Sequence, residues 1–394
     1  MLQRSERELE TIPVGVLGMI PLASCTELGN KVNDYLVKWR KESTNEHKGT
    51  LAFAGYQRDS FILSAQVPRF GSGEAKGIIN ESVRGYDLYL MVDVLNHSLT
   101  YSLCGETNHM SPDDHFQDLK RVIAAVGGKA RRINVIIPFL YESRQHKRTT
   151  RESLDCAIAL QELIDYGVDN IITFDAHDPR VQNAIPLKDF ETVRPTYQFV
   201  KGLLSNIKDL TLDNDHMMII SPDEGGMNRA IYMANVMGLD MGMFYKRRDY
   251  TKIVGGRNPI VAHEFLGTDV EGKDVIIIDD MISSGESMLD TAKMLKERKA
   301  KRVFVCTTFG LFTDGFAKFD EFYEKGYIDL IITTNLNYRK PELLTKPYYA
   351  EADMTKFLAS IIDILNHDLS TNTVLSPTDK IHKLIHKFNN GIEF

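Results

Sequence analysis

The chain has 394 residues and a net charge of −7. That length can supply two or three domain cores, and the mild acidity argues against a general nucleic-acid or anionic-membrane binder. No apolar stretch approaches membrane-spanning length, and the start, MLQRSERELE, lacks the apolar core of a signal peptide. The four cysteines, Cys25, Cys104, Cys156 and Cys306, are far apart and form no metal-type spacing. Reduced, buried thiols in a cytoplasmic protein are expected.

In chain order the apolar periodicity predicts a helix over 26–41, strands over 61–65 and 88–92, a helix over 115–126, a strand over 134–138 and a helix over 153–166. A strand over 170–173, a helix over 195–205, a strand over 217–221 and a helix over 227–236 follow. Strands over 242–245 and 274–279, a helix over 287–298, strands over 302–307 and 330–333 and a helix over 352–366 complete the pattern. The alternation is that of an α/β protein with largely parallel sheets. GKARRINVIIPF resembles RKAKRVFVCTTF, and GVDNIITFDA resembles YIDLIITTNL, at a spacing of roughly 160 to 170 residues. Such spacing fits two whole domains, with a boundary near Thr192–Thr196. Three segments are expected: 1–193, 194–349 and a tail, 350–394, ending in a short amphipathic helix and packing on the first domain.

The richest stretch is DVIIIDDMISSGES, 274–287. A strand apolar at every position is buried on both faces, as in a parallel sheet, and ligands of such sheets lie beyond the strands' carboxyl ends. Asp279 and Asp280 stand there. The turn Ser283-Ser284-Gly285 then opens a helix whose free N–H groups and positive dipole end suit a phosphate. Carboxylates for a diol beside a cradle for a phosphate describe a ribose 5-phosphate. The bland reading is a plain structural turn.

Four more segments end apolar strands. SPDEGG places Asp223 and two glycines on a strand-to-helix turn, where glycine permits close approach of a ligand. TFDAHD puts Asp175 and His177 on one face if the extended geometry continues, a pair able to serve Mg²⁺ or a phosphate. ESRQHKRTTR gathers Arg144, Lys147, Arg148 and Arg151, with His146 when protonated, as polyphosphate contacts. KRRDYTKIVGGRNP reads as a mobile basic loop able to close over a transferring phosphoryl group. For each the alternative is an ordinary joint or a solvated face.

The order of these motifs resembles that of the ribose-phosphate pyrophosphokinase (phosphoribosyl pyrophosphate, PRPP, synthetase) family, from about Phe61 to Thr334. The resemblance implies two phosphoribosyltransferase-like domains and transfer of the β,γ-diphosphoryl group of ATP to the C1 hydroxyl of ribose 5-phosphate. It assigns Phe70, Ser72 and Glu74 to the ATP of a neighbouring subunit, Arg144, Gln145, Lys147 and His177 to ATP, and His177 and Asp223 to Mg²⁺. Asp223, Asp279, Asp280, Ser283, Ser284, Gly285 and Ser287 are assigned to ribose 5-phosphate, and Lys246 and Arg248, with His177, to catalysis. It implies a homo-oligomer built from dimers, often a hexamer, with no nucleic-acid or membrane partner. The chain departs from the family pattern at Ser283 and Ser284, where a third acid and a Thr are usual, and at Glu286, where a small residue is usual. It also has DAHD for a DLHA-type strand, ASCTELGN in place of a GN-type turn, an insertion near 93–115 and a longer tail. Two alternatives are a catalytically silent subunit that regulates or scaffolds an active synthetase, and a phosphoribosyltransferase that consumes PRPP.

Overall fold

Strands covered on both faces require apolar residues at every position rather than at alternate ones. The computed structural model, which describes residues 11–43, 50–248, 260–372 and 377–393, with backbone alone at 246–248 and 260–263, shows two sheets of this kind, one in each of two units. The first unit runs to Arg194 and takes back Asn335–Tyr338 and Asp353–Ser376; the second holds Pro195–Thr334, Arg339–Ala352 and the end of the chain.

In the first unit, β1 (Val16–Pro21), α1 (Thr26–Lys41), β2 (Ala65–Gln66), β3 (Ile78–Ile79) and β4 (Tyr86–Met91) are followed by β5 (Thr100–Leu103), β6 (Glu106–His109) and α2 (Pro112–Val126). Then come β7 (Arg132–Ile136), α3 (Asp155–Asp165), β8 (Asn170–Phe174) and β9 (Asp189–Val193). An all-parallel sheet has the order β1-β4-β7-β8-β9. The pairs β2–β3 and β5–β6 are separate antiparallel ribbons.

The second unit contains α4 (Thr196–Asn206), β10 (Met217–Ser221), α5 (Met227–Met237), β11 (Asp240–Arg248), β12 (Ile260–Leu266) and β13 (Asp274–Ile282). It continues with α6 (Glu286–Glu297), β14 (Arg302–Gly310), α7 (Ala317–Glu324), β15 (Leu330–Thr334) and β16 (Tyr349–Ala352). Its sheet order is β12-β11-β10-β13-β14-β15-β16, parallel except for β12 against β11. On β13, Val275 and Ile277 enter one core with Met218, Ile220 and Val305. Ile276 and Ile278 enter the opposite core with Met217, Ile219 and Cys306. This two-sided burial is what the unbroken apolar run encodes.

The internal repeat has a physical content. In the first sheet Arg132, paired in register with Asp87, donates from Nε and Nη2 to its two carboxylate oxygens at 2.8 and 2.9 Å. In the second, Arg302, in register with Asp274, does the same at 2.9 and 2.7 Å. Beside each arginine the next residue's N–H donates to a neighbouring aspartate: Ile133 to Asp169 at 3.0 Å and Val303 to Asp329 at 2.8 Å. Both Asp87 and Asp274 are buried, so each needs its bidentate partner.

Several expectations are corrected. The segment 61–65 is no regular strand: Asn33 Oδ1 accepts the Phe61 N–H at 2.8 Å, and only Ile62 bridges to β1, at Met19. Helix α2 begins at Pro112 rather than 115 because Ser111 and Asp114 form a capping box with proline in the first turn. Cys104 is exposed, in a β5–β6 turn with φ of 51°, while the other three cysteines are buried; burial pushes the Cys156 and Cys306 thiols up to about 12. The tail, expected to pack on the first domain as a whole, is divided. Helix α8 (Thr355–Asn366) packs on α1, whereas α9 (Thr378–Asn389) sets Ile381 and Leu384 into a core of the second unit.

Arg302→Ala leaves the buried Asp274 carboxylate without its fork. We expect a loss of about 3 kcal/mol, the low end for a broken buried pair because Arg302 is 18% exposed. A lower urea midpoint at unchanged m value checks this.

Candidate active site

In the second unit, β10 and β13 lie side by side and parallel, so their carboxyl-end turns are neighbours. After β10, Asp223 Oδ1 accepts the N–H of Gly225 at 2.9 Å and of Gly226 at 3.3 Å, closing the turn on the carboxylate. Gly226 is needed for space: a Cβ there would lie 2.9 Å from Ser221 Oγ and 3.3 Å from the Ile278 carbonyl. Asp279 and Asp280 end the apolar part of β13. Burial, and then the adjacent Asp280 carboxylate, raise Asp279 well above the usual carboxylate range; Arg229 opposes this and Asp223 adds to it. Arg229, on the first turn of α5, is buried, with Nη2 3.6 Å from Asp280 Oδ2 and Nη1 3.4 Å from the Gly225 carbonyl. No motif marks it in the sequence. Its one signal was a basic residue on the face shared with Ala230, Met233 and Ala234.

The turn after β13 is held by Gly285, whose φ is 89° and whose Cβ, if present, would lie 2.2 Å from Phe319 Cζ. Ser283 and Ser284 are half-buried, and Ser287 lies in the first turn of α6. Glu286 is the residue whose charge would oppose an anion here. Its side chain is 74% exposed and stands 3.7 Å from Lys318 Nζ, so its charge is solvated and partly balanced.

Lys246 and Arg248 lie on β11, not in a loop. Their backbones pair with His263 and Ile260 of β12. The rest of the predicted basic loop, 249–259, lies outside the described residues.

In the first unit, the loop after β7 carries Arg144, Lys147, Arg148 and Arg151, all exposed and none in an ion pair among the described residues. Gln145 donates from Nε2 to the Ser153 carbonyl at 2.8 Å and so shapes this loop. His146 differs from the expectation of a fifth cation. Burial and the neighbouring His177 lower its pKa, which favours a neutral ring near pH 7. The rings of His146 and His177 are 5.2 Å apart, and His146 Nε2 is 3.6 Å from Asp178. After β8 the extended geometry breaks at Asp175, φ 42°. The alternation invoked to put Asp175 and His177 on one face therefore stops there; Asp175 is buried and donates its N–H to the Val193 carbonyl at 2.9 Å. Asp178 accepts from Arg180 Nε at 2.9 and 3.1 Å, and this hydrogen bonding holds its carboxyl down at about 2.

Phe70, Ser72 and Glu74 form a tight turn. The Phe70 N–H donates to the Glu74 carbonyl at 2.7 Å, Ser72 Oγ donates to Glu74 Oε2 at 2.9 Å, and the Phe70 ring is 54% exposed. The insertion braces it: the Cys104 N–H donates to the Gly71 carbonyl at 2.9 Å, and the Arg69 guanidinium lies 4.4 Å from the Tyr101 ring centroid. Among the described residues no three His, Cys, Asp or Glu side chains gather closely enough to hold a metal ion.

Two family models match, the N-terminal domain of ribose phosphate pyrophosphokinase over residues 17–167 and the phosphoribosyl transferase domain over 187–335. A ribose-phosphate pyrophosphokinase of Shewanella oneidensis is 30% identical over 315 residues, covering 79% of this chain and 90% of the relative. The chain belongs to the ribose-phosphate pyrophosphokinase family. A Pasteurella multocida ribose-phosphate pyrophosphokinase is 32% identical over 257 residues, 64% of this chain and 73% of that one. In fold, a phosphoribosylpyrophosphate synthetase from Mycobacterium smegmatis matches with a TM-score of 0.68 at 21% identity, over 89% of this chain and 99% of that one. The family's two-domain α/β architecture is thus the one described above, and no helix among the described residues is long and apolar enough to cross a membrane.

Two outcomes test this geometry. Gly285→Ala forces the Phe319 ring aside in a backbone state that disfavours alanine, lowering stability by about 1–3 kcal/mol; thermal unfolding reads it. Arg180→Gln returns the Asp178 carboxyl toward about 3.9, as measured by carbon NMR titration. In the wild type the stability from that depressed pKa is full above pH about 4 and disappears as pH falls toward 2.

Proposed function

We propose that the protein is an active ribose-phosphate pyrophosphokinase, transferring the β,γ-diphosphoryl group of ATP to the C1 hydroxyl of ribose 5-phosphate and releasing AMP and PRPP. The observation that carries this reading is the succession at the end of β13: two acidic side chains, a glycine-held serine turn and a helix amino terminus. Asp279 and Asp280 orient the sugar diol. Ser283, Ser284, Gly285 and Ser287 hold the 5-phosphate with hydroxyls and backbone N–H groups. Asp223 closes the sugar side, and Arg229 keeps the crowded carboxylates in place.

Arg144, Gln145 and Lys147 take the ATP phosphates, and His177 lies beside them. Phe70, Ser72 and Glu74, on their exposed turn, serve the nucleotide of a neighbouring copy, so the active form is a homo-oligomer. Mg²⁺ commonly takes one or two protein ligands and substrate phosphates for the rest. His177, beside the loop we assign to ATP, and Asp223, beside the turn we assign to the sugar phosphate, are the side chains we assign to Mg²⁺. Bound there, the ion would neutralise charge on the polyphosphate. Lys246 and Arg248 act on the transferring group as charge moves to AMP. We assign no side chain as general base; positioning and charge neutralisation carry the rate.

Purified protein with ATP, Mg²⁺ and ribose 5-phosphate is expected to form AMP and PRPP in equal amounts. Binding of both substrates with no AMP produced would establish a silent subunit instead. Lys246→Ala should lower kcat on the order of 10²-fold or more while changing the KM for ribose 5-phosphate little. Unchanged turnover would remove Lys246 from the reaction.

A further inference from the structure

At the opposite edge of the first sheet lies a cavity that the transferase reading does not use. It has a volume of about 340 Å³. Gly15, Gly85 and Arg131, which line it, stand directly before β1, β4 and β7. The candidate active-site loops follow the far ends of β7 and β8. Its apolar wall includes Phe53 and Tyr56.

Two cations line it. Arg40 is 1% exposed, and its guanidinium carbon lies 4.6 Å from the Tyr56 ring centroid and 4.9 Å from that of Phe61. Its Nη2 donates to Asn366 Oδ1 at 2.7 Å and to Asp363 Oδ1 at 3.3 Å, but its buried Nε has no hydrogen-bond partner. Arg131, exposed, has no side-chain partner among the described residues. A buried donor left unpaired is unfavourable. A cavity that combines such a donor with a second, uncommitted arginine and aromatic walls is complementary to an anion on a flat body.

We propose that this cavity binds a small oxyanion, a carboxylate or a phosphate monoester, carried on a flat apolar group. Arg131 provides the accessible charge, Arg40 the fixed one, and Phe53 and Tyr56 the surface for the ring. The site is independent of the diphosphoryl-transfer reading and survives or fails without it.

The chain's single tryptophan, Trp39, is adjacent to Arg40 in sequence and gives a local signal. Its emission is followed while the full chain is titrated with phenyl phosphate, benzoate or the neutral analogue phenol. A saturable change with phenyl phosphate or benzoate, absent with phenol, is expected, and which anion binds more tightly identifies the headgroup. Arg131→Ala should weaken that binding at least tenfold while leaving diphosphoryl transfer, measured without added probe, unchanged. Arg131 is exposed and its N–H still donates to the Tyr86 carbonyl in this variant, so folding is retained. No saturable change, equal binding of phenol, or undiminished affinity in Arg131→Ala overturns the proposal.

Discussion

A buried carboxylate at the entrance of a parallel sheet has to be neutralised in place, and in this protein the solution is used twice. Asp87 and Asp274 each receive a two-pronged arginine from the adjoining strand, Arg132 and Arg302. A strand shifted by one residue would reverse its facing pattern and separate the fork from its acid. The ion pair therefore specifies register as well as offsetting burial. Fixing the register at the amino ends fixes which residues emerge at the carboxyl ends. The placement of Asp279 and Asp280 traces back to Arg302 at the far end of the neighbouring strand.

The carboxyl edges have opposite characters. In the first unit the loop after β7 carries four exposed cations with no ion pair among the described residues. In the second they are carboxylates, and burial, with crowding adding to it, raises Asp279, with Arg229 as the buried counterweight. The histidine pair introduces a different element. With His146 held toward its neutral form, the loop that looks most basic in sequence contains an uncharged imidazole beside His177, able to accept a hydrogen bond.

Much of this was legible in the residues. Runs of apolar and β-branched residues announced the central strands β8, β10, β13 and β15, because two-sided burial leaves a compositional trace. Edge elements left less. β1 is interrupted by Gly18, which lets Leu63, Tyr86 and Leu88 approach closely. β9, β12 and β16 carry charged residues on short or peripheral strands, and the β5–β6 hairpin is mostly polar. Turn conformation was also hidden. Nothing in TFDAHD reveals that Asp175 turns into the left-handed region, and nothing around Glu286 reveals that Lys318 waits across the helix. Motif order marked Asp223, Asp279 and Ser284 as candidates. Arg229 needed coordinates, since its importance comes from burial beside an acid rather than from a neighbour in sequence.

The polypeptide changes units five times, at 194/195, 334/335, 338/339, 352/353 and 376/377. Helix α8, made long after β4 and β7, brings Asn366 to donate to Asp87 at 2.9 Å, and the Leu365 carbonyl just before it accepts from Arg132 at 2.7 Å. The amino-terminal half emerging from the ribosome therefore carries a charged residue whose shell is still untranslated. It cannot reach its finished state until α8 has also been made, and a gene cut at the apparent boundary would yield a fragment missing a keystone.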